Sequence, residues 1–238
     1  MEVDFAEIDR RFPAAAEYLG AIYILLRDYG NVSHTRLAGW VGVSAPAVTQ
    51  AVGRLKRLGL VQQQRYQNVV LTDEGRSFAV KLLRRHYLVE RLLVGVLDYP
   101  WDKADEEAKL LQSRISDDFA DYLYRRLGEP QTCPHGNPMP GVPVEAKLLA
   151  APKLSEAQSG MGVIILRITE EGEQLPTMLA FCHQNNIRPG VRFRIQSVDQ
   201  EALMLLPAGS AEEASSEIEI RLPVEKAEHI RYGELPPA

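Results

Sequence analysis

Cysteine is scarce: Cys133 and Cys182 are the only two in 238 residues. Two thiols make no disulfide framework at this length, so a reducing cytoplasm is the expected setting. No apolar run approaches the ~20 residues that a membrane span needs. The opening MEVDFAEIDRRF lacks the cationic start and apolar run of a signal peptide, so neither membrane attachment nor export is expected. Glycine-rich phosphate loops and nucleophile motifs are also missing, and the chain does not read as an enzyme.

Positive charge is in deficit overall, with a formal net of −5, but its distribution matters more. Between His34 and Arg85, nine Lys and Arg face only Asp73 and Glu74, a local net of +7. Between Leu97 and Pro130 the balance is −4. A basic segment inside an acidic chain is what phosphate contact requires, and the asymmetry assigns the segments different tasks.

That basic segment also has the most informative pattern. In SHTRLAGWVGVSAPAVTQAVGRLKRLGLVQQQRYQNVVL, Ser33 can cap a short helix burying Leu37, Ala38 and Val41. Gly42 allows a turn. Ser44 can cap a second helix, with Pro46 in its first turn and Val48, Ala51, Val52 and Leu55 on one side. Gly59 suits the position just past its end. Two short strands, Leu60 to Gln64 and Val69 to Leu71, follow. Helix, turn, basic helix and ribbon make a winged helix-turn-helix, which reads double-stranded DNA. Ser44, Pro46, Thr49 and Gln50 occupy the end of the reader helix that reaches base edges; Gln can pair with adenine and Pro can touch a thymine methyl. Arg54, Lys56 and Arg57 lie further along and suit phosphates, and Arg65 at the ribbon tip is a wing contact.

Further on, a helix is predicted from Asp73 to about Leu97, broken by Tyr99-Pro100, and a second from about Asp102 to Leu127. Together they form an antiparallel pair suited to a homodimer interface. From Thr132 to Gly160 the composition shifts to a Pro/Gly loop and then a linker. Beyond it the period becomes two: Val163–Ile168, Arg192–Ile195, Ala202–Leu206 and Glu217–Leu222 read as strands, with one short helix near Thr177 to Gln184. Several short strands in about eighty residues indicate a small barrel.

EYLGAIYIL, SAPAVTQAVGRLKRLGLV, LTDEGRSFA, RRHYLVERLL, DEEAKLLQSRISDD and CPHGNPMPG carry a family resemblance over residues 17 to 141. The chain resembles the metal-dependent repressors of the diphtheria toxin repressor and manganese transport regulator type. LAFCHQNNIRPGVRFRI resembles the SH3-like third domain of the long members. The resemblance implies a homodimer joined through two long helices, binding to operator DNA, repression of metal-uptake genes, and manganese(II) or iron(II) as corepressor.

The family's main metal site is largely erased. At its positions on the second long helix stand Lys109, Gln112 and Ser113, a cation and two weak donors. Its first-helix ligand matches Glu17, which can still ligate. The ancillary site survives better. His86 and Glu90 match its pair, spaced i, i+4 on one helix face, and Asp105 stands where the family has a His. The family's ligands from the third domain align with Leu175 and Met178; Glu173 and Gln174 lie just upstream. Cys133 and His135, two apart in the CPHGNP loop with no obvious third ligand, read as structural.

The expected fold is mainly α with β, in three domains: a winged helix-turn-helix over 1–72, a helical dimerisation and metal-binding domain over 73–140, and an SH3-like barrel over 161–238 after a linker, 141–160. The expected function is a manganese- or iron(II)-responsive regulator with metal ligands His86, Glu90, Asp105 and Glu17. Two alternatives stand beside it: a relative that has lost metal sensing, with Lys109 in place of the ion, and a metal-binding or interaction module without sequence-specific DNA binding.

Overall fold

The computed structural model describes residues 8, 10–63, 68–208 and 219–236. These form two compact units: residues 1–89 with 107–128, and residues 90–106 with 129–238. Two of the three boundaries, 89/90 and 106/107, fall inside helices.

The first unit opens with α1 (Ala15–Tyr29), α2 (His34–Val41) and α3 (Ala45–Arg57). Side-chain oxygens cap both later helices: Ser33 Oγ accepts from Arg36 N at 3.2 Å and Ser44 Oγ from Ala47 N at 3.4 Å. Gly42, at φ 73°, makes the turn between them, a conformation that excludes most side chains. Leu19, Ile22, Leu25, Leu37, Val48 and Leu55 fill the core at 0 % exposure. The ribbon is β1 (Val61–Gln63) against β2 (Val69–Leu71), antiparallel, with Val61 opposite Leu71. Gln64 and the tip residue Arg65, expected to end the first strand and to contact DNA, lie outside the described residues.

Thr72 joins ribbon to helix. Its Oγ1 donates to Gly59 O at 2.7 Å and accepts from Gly75 N at 3.1 Å, capping α4 (Asp73–Gly95). A Cβ on Gly75 would overlap the Leu60 carbonyl, so the helix can lie this close to the ribbon only with glycine there. The chain leaves α4 through Asp98 at φ 51°, ahead of Pro100.

The second long helix predicted over about Asp102 to Leu127 is not continuous. It is two helices, α5 (Ala104–Leu111) and α6 (Asp117–Arg126), separated by a turn. The cause is local. Ser116 takes an extended conformation and its Oγ accepts from Phe119 N at 3.1 Å, while Asp117 and Asp118 face the positive end of α6. This is a helix start that an apolar period alone does not reveal. Asp117 bonds Lys81 at 3.1 Å and Arg85 at 2.8 Å, and Asp121 bonds Arg84 at 2.7 Å, fastening α6 to α4.

In the second unit, residues 141–160 carry α7 (Glu145–Leu149) and a single 3-10 turn, Leu154–Glu156, whose Leu154 is fully buried. The sheet comprises β3 (Gly162–Ile168), β4 (Arg192–Val198), β5 (Ala202–Pro207), β6 (Ile220–Pro223) and β7 (Ile230–Glu234), all antiparallel, in the order β6-β5-β4-β3-β7. Bulges in β3 near Ile165 and in β4 near Ile195 curl it, as an SH3-like fold requires. Between strands lie α8 (Glu170–Glu173), α9 (Met178–Gln184) and α10 (Val224–Ala227). Val163, Ile165, Phe193, Ile195, Leu203, Leu205 and Ile230 form the core. The expected strands are present as β3 to β6, with Glu217 and Ile218 outside the described residues. β7 was not anticipated: Gly233 interrupts its short apolar run, yet stands opposite Ile164, where the small residue lets the two strands close up.

Two predictions follow from these contacts. Gly75→Ala should destabilise the first unit by about 1–3 kcal/mol, the usual cost of overpacking; urea unfolding against wild type measures it. Asp117 is drawn two ways: partial burial raises its pKa, but bonds from Arg85 and Lys81 outweigh that and hold it below the usual carboxylate range. Its stabilising effect is therefore present above the unfolded value of about 3.9 and is lost as pH falls through the lower folded value. Because the side chain is 43 % exposed, Asp117→Asn should cost at most about 1 kcal/mol at neutral pH. The difference from wild type should vanish in strong acid, as stability measured across a pH series will tell.

Candidate nucleic-acid interface and metal centre

Helix α3 presents its polar side outward. Ser44, Pro46, Thr49, Gln50, Arg54, Lys56 and Arg57 are exposed, while Val48, Ala51, Val52 and Leu55 face the core. All the described residues expected to contact DNA thus lie on one accessible stripe. Two have further commitments. Thr49 Oγ1 donates to Ala45 O at 3.1 Å and lies 3.2 Å from His34 Nδ1, so its hydroxyl is engaged within the protein. Arg54 stacks its guanidinium 5.4 Å above the Phe12 ring, holding it near the start of α1. Gln50 is exposed on the same stripe.

The second concentration of chemistry is buried. Glu90, near the end of α4, has 0 % exposure. Its neighbour Arg91 reaches the loop that follows Gln131: Nε donates to Thr132 O at 2.7 Å and Nη2 to Cys133 O at 3.1 Å. That loop turns back on itself, with Cys133 N donating to Asn137 O at 2.8 Å. Gly136, at φ 92°, lies so close to the backbone of Leu166 and Arg167 that a Cβ would overlap both, and Ile168 N donates to His135 O at 2.9 Å. The CPHGNP segment is thereby clamped between α4 and β3.

The clamp aims His135. Its Nε2 lies 3.0 Å from the Trp101 carbonyl, an acceptor only, so Nε2 carries the hydrogen. Nδ1 faces Glu90 Oε1 at 3.0 Å and Glu173 Oε1 at 3.6 Å. A backbone carbonyl fixing one ring nitrogen while the other faces anionic donors is the usual arrangement of a metal-binding histidine. Burial opposes a charge on His135, but Glu173 and Glu90 outweigh it and push the imidazole up to about 10. Burial drives Glu173 well above the carboxylate range and, with Glu90 and Glu170, raises the Cys133 thiol likewise. A divalent cation in this pocket would reverse each of these trends.

Among the described residues, two groups offer one ligand atom each within 4.8 Å of one another: Glu90, Cys133 and His135; and His86, Glu90 and Asp105. Glu90 belongs to both. His86 stands one helical turn before it on α4 and Asp105 in the first turn of α5, and both are buried. Glu17 is exposed on α1 and joins neither group. Lys109 and Ser113 are exposed; Gln112 Nε2 donates to Lys109 O at 3.3 Å. Sequence reasoning therefore named His86, Glu90 and Asp105, but passed over Cys133 and His135 for want of a third donor. That donor is Glu90, forty-odd residues upstream, and only the clamped loop brings it within reach.

The donor chemistry fits a first-row divalent ion. Imidazole and carboxylates suit manganese(II) or iron(II), and a thiolate with imidazole and carboxylate suits iron(II) or zinc. No described helix is long and apolar enough to cross a membrane.

Comparison with known proteins concerns the chain as a whole. Residues 12–69 match the family "Iron dependent repressor, N-terminal DNA binding domain". Residues 72–141 match "Iron dependent repressor, metal binding and dimerisation domain". The iron-dependent repressor IdeR of Mycobacterium leprae (strain TN) is 30 % identical over 192 residues, covering 76 % of this chain and 82 % of that protein. The diphtheria toxin repressor of Corynebacterium jeikeium (strain K411) is 34 % identical over 125 residues, 52 % of each chain. A manganese-dependent transcriptional repressor solved in complex with manganese aligns with a TM-score of 0.75 at 29 % identity, over 93 % of this chain and 100 % of that one. ScaR with bound Zn2+ aligns with a TM-score of 0.71 at 26 % identity, over 93 % and 99 %. The chain belongs to the iron-dependent repressor family, whose members are metal-responsive DNA-binding repressors and not enzymes.

Proposed function

We propose that this protein is a cytoplasmic homodimer that represses metal-uptake genes when manganese(II) or iron(II) occupies the pocket around Glu90. The observation that carries the reading is the position of Glu90, a fully buried carboxylate common to both donor groups. Cys133 and His135, with Glu173 close by, would hold an ion on one side of it; His86 and Asp105 would hold one on the other. The bound ion would supply the positive charge that lets these acidic and thiol groups stay together without protons. Lys109, Gln112 and Ser113 take no part, and Glu17 lies outside both groups.

Exposed apolar side chains on α5 and α6, among them Leu110 at 69 %, Phe119 and Tyr122, support the homodimer, because such a surface needs a partner. In that dimer each α3 enters a major groove of the operator. Ser44, Pro46, Thr49 and Gln50 face bases; Arg54, Lys56, Arg57 and the wing residue Arg65 face phosphates.

Glu90→Gln keeps the size of the side chain and removes the charge common to both groups. We expect it to abolish manganese- or iron(II)-stimulated operator binding while sedimentation still shows a dimer. Retained stimulation in that variant would place the sensing ion elsewhere, whereas wild-type operator binding that ignores a chelator would favour a regulator that has lost metal sensing.

Gln50→Ala should cost about 1–3 kcal/mol on the operator and much less on random duplex. Arg57→Ala should weaken both alike and lower the salt dependence by about one unit of slope. A salt-titrated binding assay on both DNAs separates the two effects; equal losses for Gln50→Ala on both would remove its role in base reading.

A further inference from the structure

Asn137 stands at the back of the pocket with 0 % exposure and uses its whole side chain. Nδ2 donates to Ile168 O at 2.9 Å and to Glu173 Oε1 at 2.6 Å. Oδ1 accepts from Arg167 Nη1 at 3.0 Å. The partners fix which end of the amide is which: Arg167 can only donate, and the Ile168 carbonyl can only accept. The second amide hydrogen therefore points at Glu173.

The Ile168 carbonyl alone would tie Asn137 to β3. The bond to Glu173 is additional and, at 2.6 Å, shorter than an ordinary N–H···O contact. It holds the Glu173 oxygen that lies 3.6 Å from His135 Nδ1. Meanwhile the backbone carbonyl of Asn137 closes the turn that presents Cys133 and His135. One residue thus sets both the loop donors and the donor from α8. Arg167, itself buried on β3, keeps Asn137 from rotating its carbonyl towards Glu173, where two acceptors would repel.

We propose that Asn137, locked by Arg167, is the positioning residue that aims Glu173 at an ion held by Glu90, Cys133 and His135, making Glu173 the fourth protein donor on that side. This rests on the metal-centre reading above. It adds a specific dependence: the side chain of Asn137 acts on the ion only through Glu173.

Cobalt(II) is the probe, because its thiolate charge-transfer band reports Cys133 and its d–d bands report the number of donors. Titrate the full-length wild type, Asn137→Asp, Glu173→Gln and the double variant, with urea unfolding of each metal-free protein as the folding check. Each single variant should weaken cobalt(II) by about 10–100-fold, as loss of an outer support or of one ligand does. The double variant should be no weaker than Glu173→Gln alone, and the thiolate band should persist in all. Asn137→Ser serves the same cycle if the Asp variant does not fold. Additive losses, or an Asn137 variant that binds like wild type, would overturn the proposal. So would unchanged binding and d–d bands in Glu173→Gln, while a thiolate band in the wild type would leave the metal centre itself standing. A wild type with no thiolate band overturns both.

Discussion

A carboxylate with no solvent contact governs the second half of this molecule. Placing the Glu90 anion inside a protein costs several kcal/mol unless cations or hydrogen-bond donors surround it. The chain does not separate the groups that this cost would drive apart. It holds a thiol, an imidazole and a further carboxylate close to Glu90 with a rigid frame: Arg91 grips the loop from the helix side, and the backbones of Leu166, Arg167 and Ile168 grip it from the sheet side. The frame consists largely of main-chain contacts, which do not depend on the state of the pocket. These groups are therefore arranged by folding, and an ion taken up there, as proposed, would meet a site that needs little reorganisation.

The DNA-binding end follows a different economy. Its geometry comes from short-range rules, with serines at helix starts, a left-handed glycine in the turn and a threonine linking ribbon to helix. Each is visible in the amino-acid order, which is why Ser33, Gly42, Ser44 and Gly59 could be assigned their places from sequence and occupy them. The exposed stripe of α3 was equally legible, because amphipathic periodicity states directly which side is buried.

What could not be read has a common physical cause. The break at Ser116 depends on whether a serine caps or merely sits within a helix, and both are compatible with the surrounding pattern. β7 depends on a partner strand more than sixty residues away. Cys133 and His135 look inert because their third donor lies on another element, and nothing local marks the approach of loop to helix except Gly136, whose need for glycine appears only when the β3 backbone is beside it. His86 and Glu90 were legible through helix spacing and family resemblance together; neither would have singled them out alone.

The turn between α5 and α6 bears on where an ion could be held. Residues 109, 112 and 113 share one side of a helix only while the helix continues through them. Here α5 ends at Leu111; Gln112 N still donates to Ala108 O at 2.9 Å, and the helical pattern stops after it. The capped start at Ser116 then sets the chain off in a new helix. A three-ligand site at positions 109, 112 and 113 would need new side chains and a helix extended through Ser113.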